Sequence, residues 1–278
     1  PTAKKNNPSP DAHPLNVLFV LHGSFASNSA LHVSALANAL ATMGHDCTVA
    51  VTHDLTTLEQ HRDVDFTGTL HADAKRSLNY ANQHGPDIIH AWTTRENVRL
   101  LTEQVRQQHP EAKVLIHLED NEQHILAEQS GLTTEQLSNT TSAELENLIT
   151  SDLSHPERSR EFLAGCDGIT IITENLAEFT PESIPHQLLW PAADASCFYA
   201  RPPTAEFRRI LNRSEDEILL FYHGNVHAAN AAEPIAIDPS LTPAVGLATA
   251  MHQLNSLLQR ALVVWMVFVA LKTLWPGM

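Results

Sequence analysis

The chain has 278 residues, 43% of them hydrophobic, enough to bury a sizeable core in one large domain or two modest ones. Seventeen Lys and Arg against 32 Asp and Glu give a formal charge of −15, so most of the surface repels polyanions and nucleic acid is not an expected partner. The three cysteines, Cys47, Cys166 and Cys197, lie far apart without a CxxC pair. That argues against a zinc site or a disulfide framework and fits a reducing cytoplasm.

Residues 1–14 are polar and Pro-rich with no apolar core, and they read as a disordered leader. Asn16 to Leu21, NVLFVL, is a continuous apolar run ending at His22-Gly23-Ser24, the mark of a strand buried on both faces of a parallel sheet. The following helix has Leu31, Ala35, Leu36, Ala39, Leu40 and Met43 at helical spacing and Gly44 as its stop. Cys47 to Val51 is a second strand. Residues 53–69 are polar and irregular, and a helix over Ala72 to Gln83 leads to a strand at Ile88 to Ala91. Glu96 to Gln108 reads as helix, Lys113 to Leu118 as strand, and Gly168 to Thr173 as strand after a helical insert in which Leu137, Leu145, Leu148 and Ile149 supply the apolar positions. His186 begins a last short strand that runs into a Pro-rich connector. The alternation predicts an α/β fold with a doubly wound parallel sheet over 15–203.

Ligands of such sheets bind outside the carboxyl ends of the strands, which nominates few positions. After the first strand stand His22, Gly23 and Ser24, leading into a helix whose free N–H groups suit an anion; a tight turn that needs Gly23 is the equal alternative. The loop lacks GxGxxG spacing, which disfavours a plain dinucleotide fold. After Ile89, His90, Trp92 and Arg95 offer an aromatic surface and a cation, with a packed Trp92 as the ordinary reading. His117, Glu119, Asp120 and Glu122 leave a strand end as candidate acid, base or ligand groups. The carboxylates equally suit the N-terminus of the next helix, and His117 equally suits a satisfied core position. No metal is implied.

NVLFVLHGSFASNSALHVSALANALATMGHDCTVAV, PDIIHAW, VLIHLED, CDGITIITENLAEFTP and LLWPAADASCF, in that order, resemble the N-terminal half of GT-B-fold glycosyltransferases of the family 4 type, over about 16–232. The resemblance implies a Rossmann-like acceptor-side domain and transfer of a sugar from a nucleotide-sugar to a glycan or small-molecule acceptor, with retention and without a metal or other cofactor. It implies that His117 lies near the transferred sugar and that His22, Gly23 and Ser24 form the acceptor or diphosphate loop; His90, Trp92, Arg95, Glu119 and Asp120 stand as cleft candidates by their place at strand ends. The leaving diphosphate itself can guide the acceptor proton, so its electrostatic stabilisation is the main catalytic demand.

Ile218 to Glu233 resembles the opening strand and loop of the donor-binding domain, with Gly224 in place and Asn225 where many relatives carry Arg. The 204–233 segment is therefore expected to begin that domain. Residues 234–278 bring no Glu pair and only Arg260 and Lys272 as basic groups, so a divergent tail with an apolar helix at Ala261 to Leu271 is expected. Eleven apolar residues fall short of the roughly 20 that span a bilayer. The expectation is a glycosyltransferase with an incomplete donor domain, weak or inactive alone. The alternative is a noncatalytic acceptor-binding or partner-dependent subunit that docks a protein, or a membrane surface, through 257–275.

Overall fold

The computed structural model describes residues 13–61 and 63–191, with Arg209, Leu220–Tyr222 and Val267–Val269 beyond them. Residues 1–12 of the leader expected at 1–14, the expected connector from Ala192, and Gly224 and Asn225 lie outside the described residues. The chain divides into two compact units, Pro1–Tyr199 and Ala200–Met278.

The first unit is built on seven parallel strands: β1 (Asn16–Val20), β2 (Asp46–Val51), β3 (Thr67–Leu70), β4 (Ile88–Trp92), β5 (Lys113–Leu118), β6 (Gly168–Ile171) and β7 (His186–Leu188). Their order is β3-β2-β1-β4-β5-β6-β7, so the winding reverses between β1 and β4. This is a doubly wound, Rossmann-like α/β sheet, and its switch point is where such sheets open a crevice.

Strand alternation sorts side chains onto two faces. Leu18, Val20, Ile89, Ala91, Ile116, Leu118, Ile169 and Ile171 face helices α3 (Glu96–Gln108) and α7 (Pro156–Ala164). Val17, Phe19, Leu21, Val49, Val51 and Trp92 face helix α1 (Asn28–Thr42). In α3 the stripe Val98, Leu101 and Val105 is fully buried, and each such side chain contributes about 1.5–3 kcal/mol of apolar burial.

α1 turns inward a face that overlaps the expected one only in part, with Leu36 and Leu40 packed against the core beside smaller side chains. Its buried residues are Ser29, Ala30, Val33, Ser34 and Ala37, whereas Leu31 is 58% and Met43 53% exposed. Small side chains let the helix axis approach the sheet closely, and that packing outweighs the larger leucines. The helix ends as expected, with Gly44 at φ +94°. The helix anticipated at 72–83 is a single turn, α2 (His71–Ala74), and the region read as irregular contains a 3-10 turn at Leu55–Gln60 and edge strand β3.

Four helices occupy the insert. α4 (Glu122–Ser130), α5 (Thr134–Ser138) and α6 (Ser142–Leu148) surround a small core of Leu126, Ala127, Leu137, Leu145 and Leu153. Side chains of Thr133 and Thr141 close capping boxes with Gln136 and Glu144. α7 then returns the chain to the sheet.

In the second unit, β8 (Leu220–Tyr222) pairs antiparallel with β9 (Val267–Val269). Three residues of the stretch expected to be an apolar helix are therefore strand, in keeping with the β preference of a Val-Phe-Val run. Among the described residues, no helix is long and apolar enough to cross a membrane.

Candidate functional site

β5 delivers His117 to the carboxyl edge of the sheet, next to the last residue of β4. The register pairs Trp92 with His117 and His117 with Thr170, and all three project to the α1 face. The Trp92 and His117 rings stack with centroids 3.9 Å apart at 30°. His117 is only 1% exposed, its Nδ1 is 2.8 Å from Thr170 Oγ1, and its Nε2 has no hydrogen-bond partner. That ring also borders a recess of about 20 Å³ shared with Leu36, Trp92, Leu189 and Trp190, and Trp190 is 74% exposed. A buried nitrogen left unpaired at a ligand-binding edge carries a desolvation cost of about 1–3 kcal/mol that a ligand atom would relieve.

His90 sits one layer deeper, on the same face. Its Nε2 is 3.2 Å from the same Thr170 hydroxyl, and its ring tilts against Phe19 and Trp92. Burial lowers both imidazoles, His90 to about 4 and His117 to about 3, the latter with smaller contributions from His90 and His32. Both rings are neutral at pH 7.

Glu119 lies just past β5 and holds the neighbourhood together. It accepts from Trp92 Nε1–H at 3.0 Å and from the Ser29 hydroxyl in the first turn of α1. Burial raises its carboxyl above the usual range, with Asp120 adding and the Ser29 and Trp92 hydrogen bonds opposing. Glu119 thereby ties the β1 side of the crevice to the β4 side.

The loop after β4 is strained and tightly held. Thr93 has φ +81°, a conformation that costs a β-branched residue on the order of 1–3 kcal/mol. It is fully buried, and its N–H donates to the His117 carbonyl at 2.9 Å. Arg95 is engaged by carboxylates: its Nε donates to both oxygens of Glu122 at 3.1 Å, and its Nη2 lies 3.6 Å from Asp120. Glu122 belongs to the first turn of α4, but the cap there is Asn121, whose side chain accepts from His124 N–H. The α3 N-terminus is also occupied. Glu96 and Asn97 N–H groups donate to the carbonyls of Leu153 and Ser151 at 2.9 and 2.8 Å.

The loop after β1 is internally satisfied in part. Ser27 caps α1 by accepting from Ala30 N–H, Phe25 N–H donates to Thr57, and Ala26 N–H donates to Ser24 Oγ. Gly23 is not required by sterics, because it lacks a positive φ and an added Cβ would meet Ser27 at an ordinary 3.5 Å. The alternative reading, a tight turn that needs Gly23, therefore does not hold, because this turn accommodates a side chain. His22 is half-buried, its carbonyl accepts from Asn97 Nδ2–H at 3.1 Å, and its Nδ1 is unpartnered. Burial, with Arg95 next, lowers its imidazole to about 3 against an opposing Asp152.

A larger cavity, about 190 Å³, opens on the opposite face beside Leu118 and Leu163. Its polar wall is a one-way chain: Ser159 donates to Thr94 at 2.8 Å, Thr94 pairs with Ser154 at 3.0 Å, and Ser154 donates to Glu122 at 3.0 Å. With its hydroxyl protons already used, that chain offers acceptors, as do Asp120 and Glu178, while Arg160 and Gln123 add donors to the lining.

The structure thus joins His90, Trp92, His117 and Glu119 in one cluster, and Arg95, Asp120 and Glu122 in another across β5. Thr170, Ser29 and Ser154 were not singled out from sequence. Thr170 had a signal, a polar residue between isoleucines in a buried strand; the serines had none. Among the described residues, no group of three or more His, Cys, Asp or Glu converges as a metal site.

No protein-family model matches the chain, and no curated protein matches it. Solved structures of similar path include apo UGT2 from Phytolacca americana (TM-score 0.43, 9% identity, 73% of this chain and 55% of that one). A glycosyltransferase from Rickettsia africae ESF-5 matches with TM-score 0.45 and 10% identity over 88% of this chain and 67% of that one. The chain thus spans about half the length of the first. Similarity at this level leaves the chemistry to be argued from the site's own residues.

Proposed function

We propose that the first unit is the acceptor-side domain of a glycosyltransferase acting on a nucleotide-sugar with retention of configuration. The observation that carries this reading is the unpartnered Nε2 of His117, buried at the carboxyl edge of a doubly wound sheet and stacked on Trp92. A hydroxyl of the transferred sugar is a matching partner for that nitrogen, and the exposed Trp190 ring at the rim offers an apolar face to a pyranose. His117 is neutral at pH 7, so it serves as a hydrogen-bonding group, and the leaving diphosphate takes the acceptor proton. Glu119 holds Trp92 against His117. His22, Gly23 and Ser24 border the crevice at the β1 end, and residues 204–233, with Gly224 and Asn225, contribute to the donor side.

The test is a panel of UDP- and GDP-sugars offered to the full chain, read by saturation-transfer NMR for binding and by release of nucleotide for turnover. Weak binding of at least one sugar nucleotide and slow or no turnover by the chain alone are expected, together with a fall of about tenfold in sugar-nucleotide affinity for His117→Ala, the worth of one hydrogen bond. No binding to any member, robust turnover by the chain alone, or a His117→Ala variant that binds as tightly as the parent, overturns the proposal.

A further inference from the structure

We propose that Thr170 is a positioning residue that fixes the tautomer of His117, so that His117 presents an N–H, and not a lone pair, to the recess beside Trp92 and Trp190. The argument begins with proton counting. The Thr170 hydroxyl lies 2.8 Å from His117 Nδ1 and 3.2 Å from His90 Nε2, and among the described residues these are its two hydrogen bonds. A hydroxyl has one proton and two lone pairs, and with no other hydrogen bond among the described residues its proton goes to one of these imidazoles, which leaves it to accept from the other. The two histidines are therefore coupled: whichever ring accepts from Thr170, the other must donate to it.

Distance assigns the direction. Hydroxyl donors make the shorter bonds, with a mode of about 2.7–2.8 Å, while N–H donors to oxygen extend to about 3.2 Å. The short contact is at His117 Nδ1 and the long one at His90 Nε2. Thr170 thus donates to His117 Nδ1 and accepts from His90 Nε2–H. With Nδ1 occupied as an acceptor in a neutral ring, the single proton of His117 resides on Nε2, the atom without a partner. Burial keeps a second proton off both rings, since His90 falls to about 4 and His117 to about 3.

The consequence concerns ligand chemistry. A donor at Nε2 selects an oxygen acceptor, and it cannot act as a general base without first losing the tautomer that Thr170 imposes. The tautomer stands on the geometry and burial of the two rings; that the oxygen belongs to a transferred sugar rests on the function proposed above.

Nitrogen-15 NMR of the histidine rings in the ligand-free full chain tests the assignment, with His117→Gln used to identify the resonances. His117 is expected as the Nε2–H tautomer in the parent protein and in Thr170→Ser, which keeps the hydroxyl. Thr170→Val removes one ordinary hydrogen bond and should shift the tautomer ratio roughly fivefold toward Nδ1–H. A parent His117 protonated on Nδ1, or a Thr170→Val ratio equal to the parent's, overturns the proposal. If Thr170→Val does not fold, the parent and Thr170→Ser spectra still decide it. Because no ligand is added, a chain that transfers no sugar can still show the tautomer, and the converse result separates the two claims as cleanly.

Discussion

Trp92 has two separable tasks, stacking on His117 through its ring and donating to Glu119 through Nε1. Trp92→Phe keeps most of the first and deletes the second. Glu119 would then retain the Ser29 hydroxyl while remaining largely buried, so the variant should lose about 1–2 kcal/mol of stability in urea denaturation. Because Ser29→Ala acts on the same carboxyl, the double variant should differ from the sum of the single ones, and strict additivity would show that Glu119 does not couple the two groups. Thr93 illustrates the same economy of placement: its left-handed backbone is held by a hydrogen bond to the His117 carbonyl and by complete burial. Position, more than residue type, gives these side chains their meaning. From sequence, Glu119 is one of three carboxylates in a run with interchangeable roles; in the structure it binds tryptophan and serine, whereas Glu122, three residues on, binds arginine and a different serine.

The elements were legible where one signal dominated. α3 and β5 start and stop where the sequence places them, because the first has an apolar stripe at helical spacing and the second an uninterrupted apolar run. β3 was missed because Thr67–Leu70 is an edge strand with little buried surface to mark it. α1 shows why a correct helix can be given its face only in part: two apolar stripes overlap at Leu36 and Leu40, which pack against the core as expected, while the small one of Ala30, Val33 and Ala37 is fully buried and Leu31 stays exposed. Substitutions separate the two. Ala37→Leu on the fully buried stripe should cost about 1–3 kcal/mol by overpacking, while Leu31→Gln on the exposed stripe should stay within about 0.5 kcal/mol of the parent. Thermal or urea unfolding with the opposite ranking would restore the face expected from sequence. The site was legible to the extent that strand ends announce themselves, which selected His117, Trp92 and His90. Its bracing groups were not, since Ser29 is 90 residues from Glu119 and Thr170 is 53 from His117.

For the whole molecule, buried histidines make stability a function of pH. His22, His71, His90 and His117 have folded values of about 3, 4, 4 and 3, each lowered chiefly by burial, against about 6.5 in an unfolded chain. Below pH 6.5 the unfolded state takes up protons that the folded state refuses, so their contribution is fully present above pH 6.5 and is lost as pH falls toward 4. Glu119 and Glu122 act in the opposite sense: burial raises both, so the folded state keeps protons that the unfolded state has released, and stability is regained as pH falls through that window. The four imidazoles outnumber the two carboxyls, so the net effect is uptake of protons by the unfolded chain and loss of stability as pH falls below 6.5. The urea midpoint, followed by tryptophan fluorescence at fixed salt, should therefore drop clearly between pH 7 and pH 5. His71→Asn should flatten that drop by about one proton's worth, because His71 lies in α2, apart from the His117 cluster. A midpoint that is constant or rises toward pH 5 would mean that these imidazoles are protonated in the folded protein, and the neutral His117 on which the proposed chemistry depends would fall with them.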